Sequence, residues 1–179
     1  MLEKTPSDRP DAAQRPEADT VGPHAVPLTL RVNGMTHTLS ITPQTTLAQA
    51  LREQLDLTGT KIACDRGACS ACTVWLDGAP VCSCMVLALE VGAREVTTIE
   101  GLTDREALHP VQAAFIEHDA IQCGFCTPGL IMSCVALLKR TPHPSEHEIR
   151  AAISGHLCRC GTYPHVLSAV LAAARTEEA

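Results

Sequence analysis

The sequence has few aromatic residues, no long apolar run and no basic cluster. Aromatic side chains make up 2% of the 179 residues, so a core must be aliphatic, which the 45% hydrophobic content allows. Twenty acidic residues against fourteen basic ones give a net charge of -6, and the longest basic run is Lys139-Arg140. This balance argues against nucleic-acid binding. No segment approaches the roughly 18 apolar residues of a membrane span.

Two further absences concern the leader and the nucleotide fingerprint. Residues 1–25 contain neither the apolar segment of a secretory leader nor paired arginines, and their Pro-rich, acidic composition predicts a flexible tail. We therefore expect a cytoplasmic location, where ten cysteines are metal ligands more readily than the disulfides of a secreted scaffold. The sequence also contains no Gly-rich dinucleotide fingerprint and no spare domain for flavin, so we expect the chain to need partners.

Residues 26–100 have the pattern of a compact α+β module. Short alternating segments surround Asn33-Gly34 and Asp77-Gly78, which are strong hairpin signals, and "EVTTI" reads as one more strand. Thr45 or Thr46 can cap a helix over residues 47–55, where leucines recur every four residues. We expect this module to end near residue 100.

Residues 101–179 are predicted to be helical. Pro110, Pro128 and Pro164 each stand where a helix opens, a position that tolerates proline because its missing N–H has no helical partner. Ser145 and Glu148 form a capping box for a further helix. Four helices joined by short loops predict a small bundle.

The cysteines fall into two sets, the first of which lies between residues 64 and 84. Cys64, Cys69 and Cys72 have C-x4-C-x2-C spacing, which matches a plant-type [2Fe-2S] site of soft thiolate ligands. Cys82 and Cys84 are both available as the fourth ligand, because alternate residues share one side of a strand. Zinc is the alternative metal, although its sites usually combine pairs of close-set ligands.

The second set consists of a C-x2-C pair, Cys123 and Cys126, and a C-x-C pair, Cys158 and Cys160. A helix running outward by roughly 18 Å and one returning by roughly 14 Å would bring the pairs together at one end of the bundle. Spacing alone leaves a [2Fe-2S] site and a four-thiolate zinc site both open. A thioredoxin-like C-x2-C motif would leave the second pair without a role.

Five stretches follow one another in order: "CDRGACSACTVWLDG", "VCSC", "TTIEGL", "QCGFCTPGLIMS" and "GHLCRCGTYP". Together they resemble the small [2Fe-2S] subunit of the molybdenum hydroxylases, the xanthine dehydrogenase and aldehyde oxidase family, from about residue 27 to residue 174. The resemblance implies an N-terminal β-grasp ferredoxin-like domain over residues 26–100. It also implies an all-α four-helix bundle domain over residues 101–179, with one [2Fe-2S] cluster in each domain.

The resemblance also assigns ligands, residue by residue. The outer cluster would be bound by Cys64, Cys69, Cys72 and Cys84, and the inner cluster by Cys123, Cys126, Cys158 and Cys160. Gln122 and Cys160 would lie against the molybdopterin of a large partner subunit. The family usually has Gly at the position of Ser70 and Asn at the position of His156, so the local backbone and hydrogen bonding are expected to differ there.

The function that this resemblance implies is electron transfer. Single electrons would pass from the molybdopterin centre of the large subunit, through two clusters, to FAD in a medium subunit or to a cytochrome. The large subunit would oxidise an aldehyde or an N-heterocycle. A zinc-stabilised binding module and a free-standing redox sensor using Cys82 or Cys134 are the alternatives. We expect Cys134 and Trp75 to pack in the core, and the scattered histidines to be solvated.

Overall fold

A computed structural model describes residues 22–103 and 107–176, so most of the predicted tail lies outside the described residues. The strands are β1 Val26–Val32, β2 Met35–Ile41, β3 Thr73–Leu76, β4 Ala79–Cys82 and β5 Glu95–Thr97. The helices are α1 Leu47–Gln49, α2 Pro110–Glu117, α3 Thr127–Arg140, α4 Glu146–Ile153 and α5 Tyr163–Thr176. The described residues thus form the mixed α+β fold that the sequence predicts. None of the described helices is long and apolar enough to cross a membrane.

The five strands form one sheet in the order β2-β1-β5-β3-β4. Both predicted hairpins are present, since β1 pairs antiparallel with β2 and β3 pairs antiparallel with β4. Their turns have positive φ at Asn33 and Gly34 and at Asp77 and Gly78, which is the geometry that Asn-Gly and Asp-Gly turns adopt readily. β5 lies between the two hairpins, parallel to β1 and antiparallel to β3.

The predicted helix over residues 47–55 is correct in position but not in type. Thr46 caps it, with its side chain accepting from the backbone N–H of Gln49 while the Gln49 side chain accepts from Thr46. Only α1 is α-helical, and residues 50–54 continue as a π-helical turn. Leu47 and Leu51 are fully buried, so the predicted apolar face is the one that enters the core.

The four longer helices begin within one residue of their predicted starts. α4 has the predicted capping box: the Ser145 hydroxyl accepts from the Glu148 N–H, and the Glu148 carboxylate accepts from the Ser145 N–H at 2.7 Å. These hydrogen bonds from Ser145 lower the pKa of Glu148. α2 stops earlier than predicted, because the chain takes a positive φ at Asp119 two residues after the helix ends.

One aromatic side chain joins the sheet to the helices. Trp75 lies on β3, yet it is buried in the helical core and not in the core beneath the sheet. Its indole Nε1 donates to the Met132 carbonyl at 2.9 Å, and the Lys139 ammonium lies 4.5 Å from the ring centroid. This confirms the packing role expected for Trp75. Cys134, which is fully buried in the same core, is likewise confirmed as a core residue.

Candidate metal centres

Cys64, Cys69 and Cys72 of the first cysteine set lie in a loop that precedes β3. The backbone has positive φ at Asp65, Gly67 and Ser70, so the loop turns repeatedly within six residues. Two of its amides point at thiols: Gly67 N–H lies 3.4 Å from Cys84 Sγ, and Ala68 N–H lies 3.2 Å from Cys64 Sγ. Amides that donate to sulfur stabilise a thiolate, so this loop is suited to charged sulfur ligands.

Within this set the thiols lie close to one another. Cys64 lies within hydrogen-bonding range of Cys69, and Cys72 lies within range of both Cys84 and Cys82. Backbone amides, that of Arg66 foremost, and the Cys69 side chain lower the pKa of Cys64 to about 7. Burial and the neighbouring Cys84 raise the pKa of Cys72 to about 11. Burial makes the thiolate of Cys72 unfavourable, so a bound cation would have to stabilise that charge. The surroundings of Cys64 already favour its thiolate.

The segment that carries Cys82 and Cys84 has a bend that the sequence did not indicate. The prediction that both lie on one side of a strand is wrong, because β4 ends at Cys82 and residues 83–85 form a 3-10 turn. The buried Ser83 hydroxyl fixes this turn by donating to the Cys72 carbonyl at 2.7 Å. Cys84 is thereby buried against Cys72, while Cys82 lies at the strand end, with Ser70 Oγ 3.7 Å from its sulfur.

The second cysteine set lies where two loops meet at one end of the helices. Cys126 is the N-cap of α3, and Cys123 stands three residues before it, exposed. Cys158 and Cys160 lie in the loop between α4 and α5. As predicted, the distant pairs come together: Cys126 lies within hydrogen-bonding range of Cys158, and the charge of Cys123 also acts on Cys126. For Cys160, which is half-buried, the described contacts include no thiol partner.

The two thiols in contact within this second set have opposite environments. Burial, followed by the neighbouring Cys158, raises the pKa of Cys126 to about 12. Burial also opposes ionisation of Cys158, but hydrogen bonds from the Thr162 hydroxyl and the backbone at residues 161 and 162 prevail and lower its pKa to about 7. Of these two thiols, Cys158 is the one whose surroundings favour the thiolate.

Backbone contacts join the two cysteine loops directly. Leu157 N–H donates to the Cys69 carbonyl at 3.1 Å, so a residue next to Cys158 is bonded to a residue of the first set. α3 approaches the same loop so closely that a Cβ on Gly129 would lie 2.5 Å from the Ser70 carbonyl oxygen. The two sets therefore occupy adjoining parts of the molecule.

His156 is a site residue whose environment the sequence did not predict. His143 and His147 are exposed, as expected, but His156 is only 4% exposed, and its Nε2 lies 2.7 Å from the Ser133 hydroxyl. Burial lowers its pKa to about 4, so the imidazole is neutral at neutral pH. The only sequence signal was the departure from Asn at this position, together with a serine on the otherwise apolar α3.

The arrangement of thiols defines the class of site. Among residues 22–103 and 107–176, no group of three or more His, Cys, Asp or Glu side chains is arranged to hold a metal ion. Thiols lie close to one another within each set, and a [2Fe-2S] cluster has two irons that together take four thiolates. Neighbouring sulfurs with amide donors directed at them thus fit the iron–sulfur class of protein.

Comparison with known proteins gives the family. Residues 98–171 match the model of a [2Fe-2S] binding domain family. The chain is 46% identical over 174 residues to the iron–sulfur-binding subunit of an aldehyde oxidoreductase from Escherichia coli, which covers 89% of this chain and 76% of that one. It is also 46% identical to one of the subunits of nicotinate dehydrogenase from Pseudomonas putida, which covers 83% of this chain and 95% of the relative.

Solved structures agree with these relatives. A chain of quinoline 2-oxidoreductase from Pseudomonas putida 86 superposes with a TM-score of 0.83 at 39% identity, covering 87% of this chain and 97% of that chain. In the aldehyde oxidoreductase of Desulfovibrio desulfuricans, the match has a TM-score of 0.80 at 43% identity and covers 85% of this chain but 17% of that one. The equivalent of this chain is there a small part of a longer polypeptide.

The chain belongs to the iron–sulfur subunits of the molybdenum hydroxylase family, which includes the xanthine dehydrogenases and aldehyde oxidoreductases. Its role is that of an oxidoreductase component whose function is electron transfer. The zinc-module and redox-sensor alternatives are not favoured. For the latter, burial raises the pKa of both Cys82 and Cys134, which makes both thiols less reactive as nucleophiles.

Proposed function

We propose that this chain holds two [2Fe-2S] clusters, one in each cysteine set. Cys64, Cys69, Cys72 and Cys84 would bind the outer cluster, and Cys123, Cys126, Cys158 and Cys160 the inner one. When bound, the clusters would supply one-electron carriers between a molybdopterin centre and an acceptor. The residues fit this role because each set contains contacting thiols, and amide or hydroxyl donors reach at least one sulfur in each.

The observation that carries this proposal is the hydrogen bond from Leu157 N–H to the Cys69 carbonyl at 3.1 Å. Cys69 is a proposed ligand of the first set, and Leu157 directly precedes Cys158, a proposed ligand of the second set. One hydrogen bond and one peptide unit therefore separate these two residues. Two sites that served only to stabilise separate folding units would not need this contact. Carriers that exchange electrons do need to be held at a fixed, short separation.

We infer that the inner set faces the large, molybdopterin-binding subunit. Gln122 and Cys123 are exposed, and the apolar side chains around this end of the helices are exposed as well. Ile121 is 39%, Phe125 46% and Leu157 61% exposed, which is unusual for side chains of this size. Gln122 and Cys160 are our candidates for contact with the pterin, and a partner surface would cover the apolar side chains.

The outer set would face the acceptor, either FAD in a medium subunit or a cytochrome, and the complex would oxidise an aldehyde or an N-heterocycle. In this assignment the module over residues 26–100 is a β-grasp ferredoxin-like domain, and residues 101–179 form a four-helix bundle domain. The sheet order and the four longer helices support this division. A cytoplasmic location stays a prediction.

Metal and sulfide analysis combined with electron paramagnetic resonance (EPR) tests the proposal. The full chain, purified without oxygen, should contain about four iron and four sulfide atoms, two of each per cluster, and should give two distinct [2Fe-2S] signals when reduced. A single signal together with zinc would refute it. In the complex with its large subunit, Gln122→Ala should slow reduction by substrate while both signals remain. Loss of a signal in Gln122→Ala would contradict the proposed pterin contact.

A further inference from the structure

The turn that follows Cys158 surrounds its sulfur with hydrogen-bond donors. Thr162 Oγ1 lies 3.3 Å from Cys158 Sγ, and backbone groups at Gly161 and Thr162 also act on this sulfur. Gly161 has a φ of 75° in this turn, and its N–H donates to the Cys158 carbonyl at 3.3 Å. Thr162 itself is only 2% exposed, so water does not compete for its hydroxyl.

A second contact keeps Cys158 in place. Its backbone N–H donates to the Tyr163 hydroxyl oxygen at 2.7 Å, and the Tyr163 hydroxyl in turn donates to the His156 carbonyl at 2.9 Å. The backbone of Cys158 is therefore fixed by the first residue of α5. Because the main chain cannot shift, the distance between the Thr162 hydroxyl and the sulfur is fixed as well.

The neighbouring thiol has no hydroxyl donor of this kind. Cys126 lies within hydrogen-bonding range of Cys158, and no hydroxyl contact to its sulfur is present among the described residues. The two neighbouring sulfurs of the second set thus differ in their side-chain donors. A donor that favours charge on one sulfur stabilises the reduced form of a cluster, which carries one more electron than the oxidised form.

We propose that Thr162 is a positioning residue that raises the reduction potential of the inner cluster through its hydroxyl hydrogen bond to Cys158. This rests on the proposed function, namely on Cys158 as a cluster ligand. The hydroxyl neither binds the metal nor touches substrate. Its effect is to make the inner set a better electron acceptor than the same four thiolates would be without it.

The test is an EPR-monitored redox titration of the full chain in three forms. Thr162→Val keeps the size and β-branching of the side chain but removes the hydroxyl, and Thr162→Ser keeps the hydroxyl. The inner signal is identified as the one that persists in a Cys84→Ser chain. Thr60→Val is the matched control, since Thr60 is also 2% exposed and its hydroxyl has no partner among the described residues.

In Thr162→Val we expect the oxidised-to-reduced ratio at a fixed potential to rise about tenfold, which for a one-electron couple is a shift of about 59 mV to lower potential. Thr162→Ser should restore the wild-type value, and Thr60→Val should leave the inner potential unchanged. Two intact signals with an unmoved inner potential in Thr162→Val would overturn this proposal alone. A wild-type chain with a single [2Fe-2S] signal would overturn the proposed function as well.

If Thr162→Val loses the inner cluster during purification, Thr162→Ala and Thr162→Ser are compared instead. A lower potential in the alanine variant than in the serine variant supports the role of the hydroxyl. Equal potentials in the two variants refute it, because a side chain that only fills space would not depend on the oxygen atom.

Discussion

Gly129→Ala is expected to push α3 away from the loop that contains Ser70 and Ala71, in the first cysteine set. An added Cβ would lie 2.5 Å from the Ser70 carbonyl oxygen and 3.1 Å from the Ala71 carbonyl oxygen, both of them backbone atoms that cannot rotate away. To bring the first contact even to the 3.0 Å that real Cβ atoms respect, the loop and the helix must separate by about half an ångström. Such overpacking costs about 1–3 kcal/mol.

Part of that cost is offset, because alanine favours the helix over glycine by up to about 1 kcal/mol. The clash prevails because two carbonyls oppose the new methyl group at once, and we expect a net loss of about 1–2 kcal/mol. For a chain of this size, each kcal/mol lowers the melting temperature by about 2–4 °C, so Gly129→Ala should melt about 2–8 °C below the wild type.

Thermal unfolding followed by circular dichroism measures this difference, with Gly155→Ala as the control. A Cβ on Gly155 would meet only the side-chain oxygen of Ser70, at an ordinary 3.4 Å, so its melting temperature should stay close to that of the wild type. If Gly129→Ala also melted at the wild-type temperature, the loop backbone at residues 70 and 71 would be moving aside without any loss of stability. The reasoning that the backbone holds the two cysteine sets at a fixed separation would then be refuted.

Three further predictions concern single side chains. Cys84→Ser should remove one [2Fe-2S] EPR signal and about half of the iron while Cys82→Ala retains both signals, and the reverse result would exchange their assignments. Trp75→Phe should lower the unfolding free energy by about 1–3 kcal/mol in urea, because the smaller ring leaves a cavity and the indole hydrogen bond to the Met132 carbonyl is lost; an unchanged value would mean that the core closes around the smaller ring. Ser133→Ala should cost a similar amount, about 1–3 kcal/mol by the same assay, since it leaves the buried His156 ring without its partner. Ser133→Thr, which keeps the hydroxyl, should recover part of that loss, and equal losses in both variants would argue against the hydrogen bond.

Local signals in the sequence predicted the elements well where one or two residues determine the geometry. Asn33-Gly34 and Asp77-Gly78 have the positive φ that their turns need, and the Ser145–Glu148 capping box forms as expected. The order of strands in the sheet had no such signal, because the pairing of β5 with both β1 and β3 depends on contacts between residues far apart in sequence. The π-helical turn after α1 was missed for a related reason: packing against the sheet, and not helix propensity, decides the type of turn there.

For the candidate site, the spacing of the cysteines predicted that they fall into two groups, and thiols within each group do lie close together. Which four thiols of each group bind a cluster stays a prediction. The bend that separates Cys82 from Cys84 was not predictable, since a buried serine hydroxyl bonded to the Cys72 carbonyl causes it, and serine gives no such signal in a strand-like pattern. Burial of His156 was missed because its partner Ser133 lies 23 residues away on α3. The contact of Leu157 with Cys69 joins two main-chain groups, so no side-chain pattern could indicate it.

The hydrogen bond from Leu157 N–H to the Cys69 carbonyl affects which substitutions a sequence of this type can tolerate. Leu157 N–H and the Cys69 carbonyl are present whichever side chains those residues carry, so most substitutions near the junction leave the bond chemically possible. Gly129 is the position where a side chain itself would intrude. Most mutations therefore leave the distance between the two cysteine loops unchanged, so the exposed surface of such a chain can change extensively while that distance stays the same.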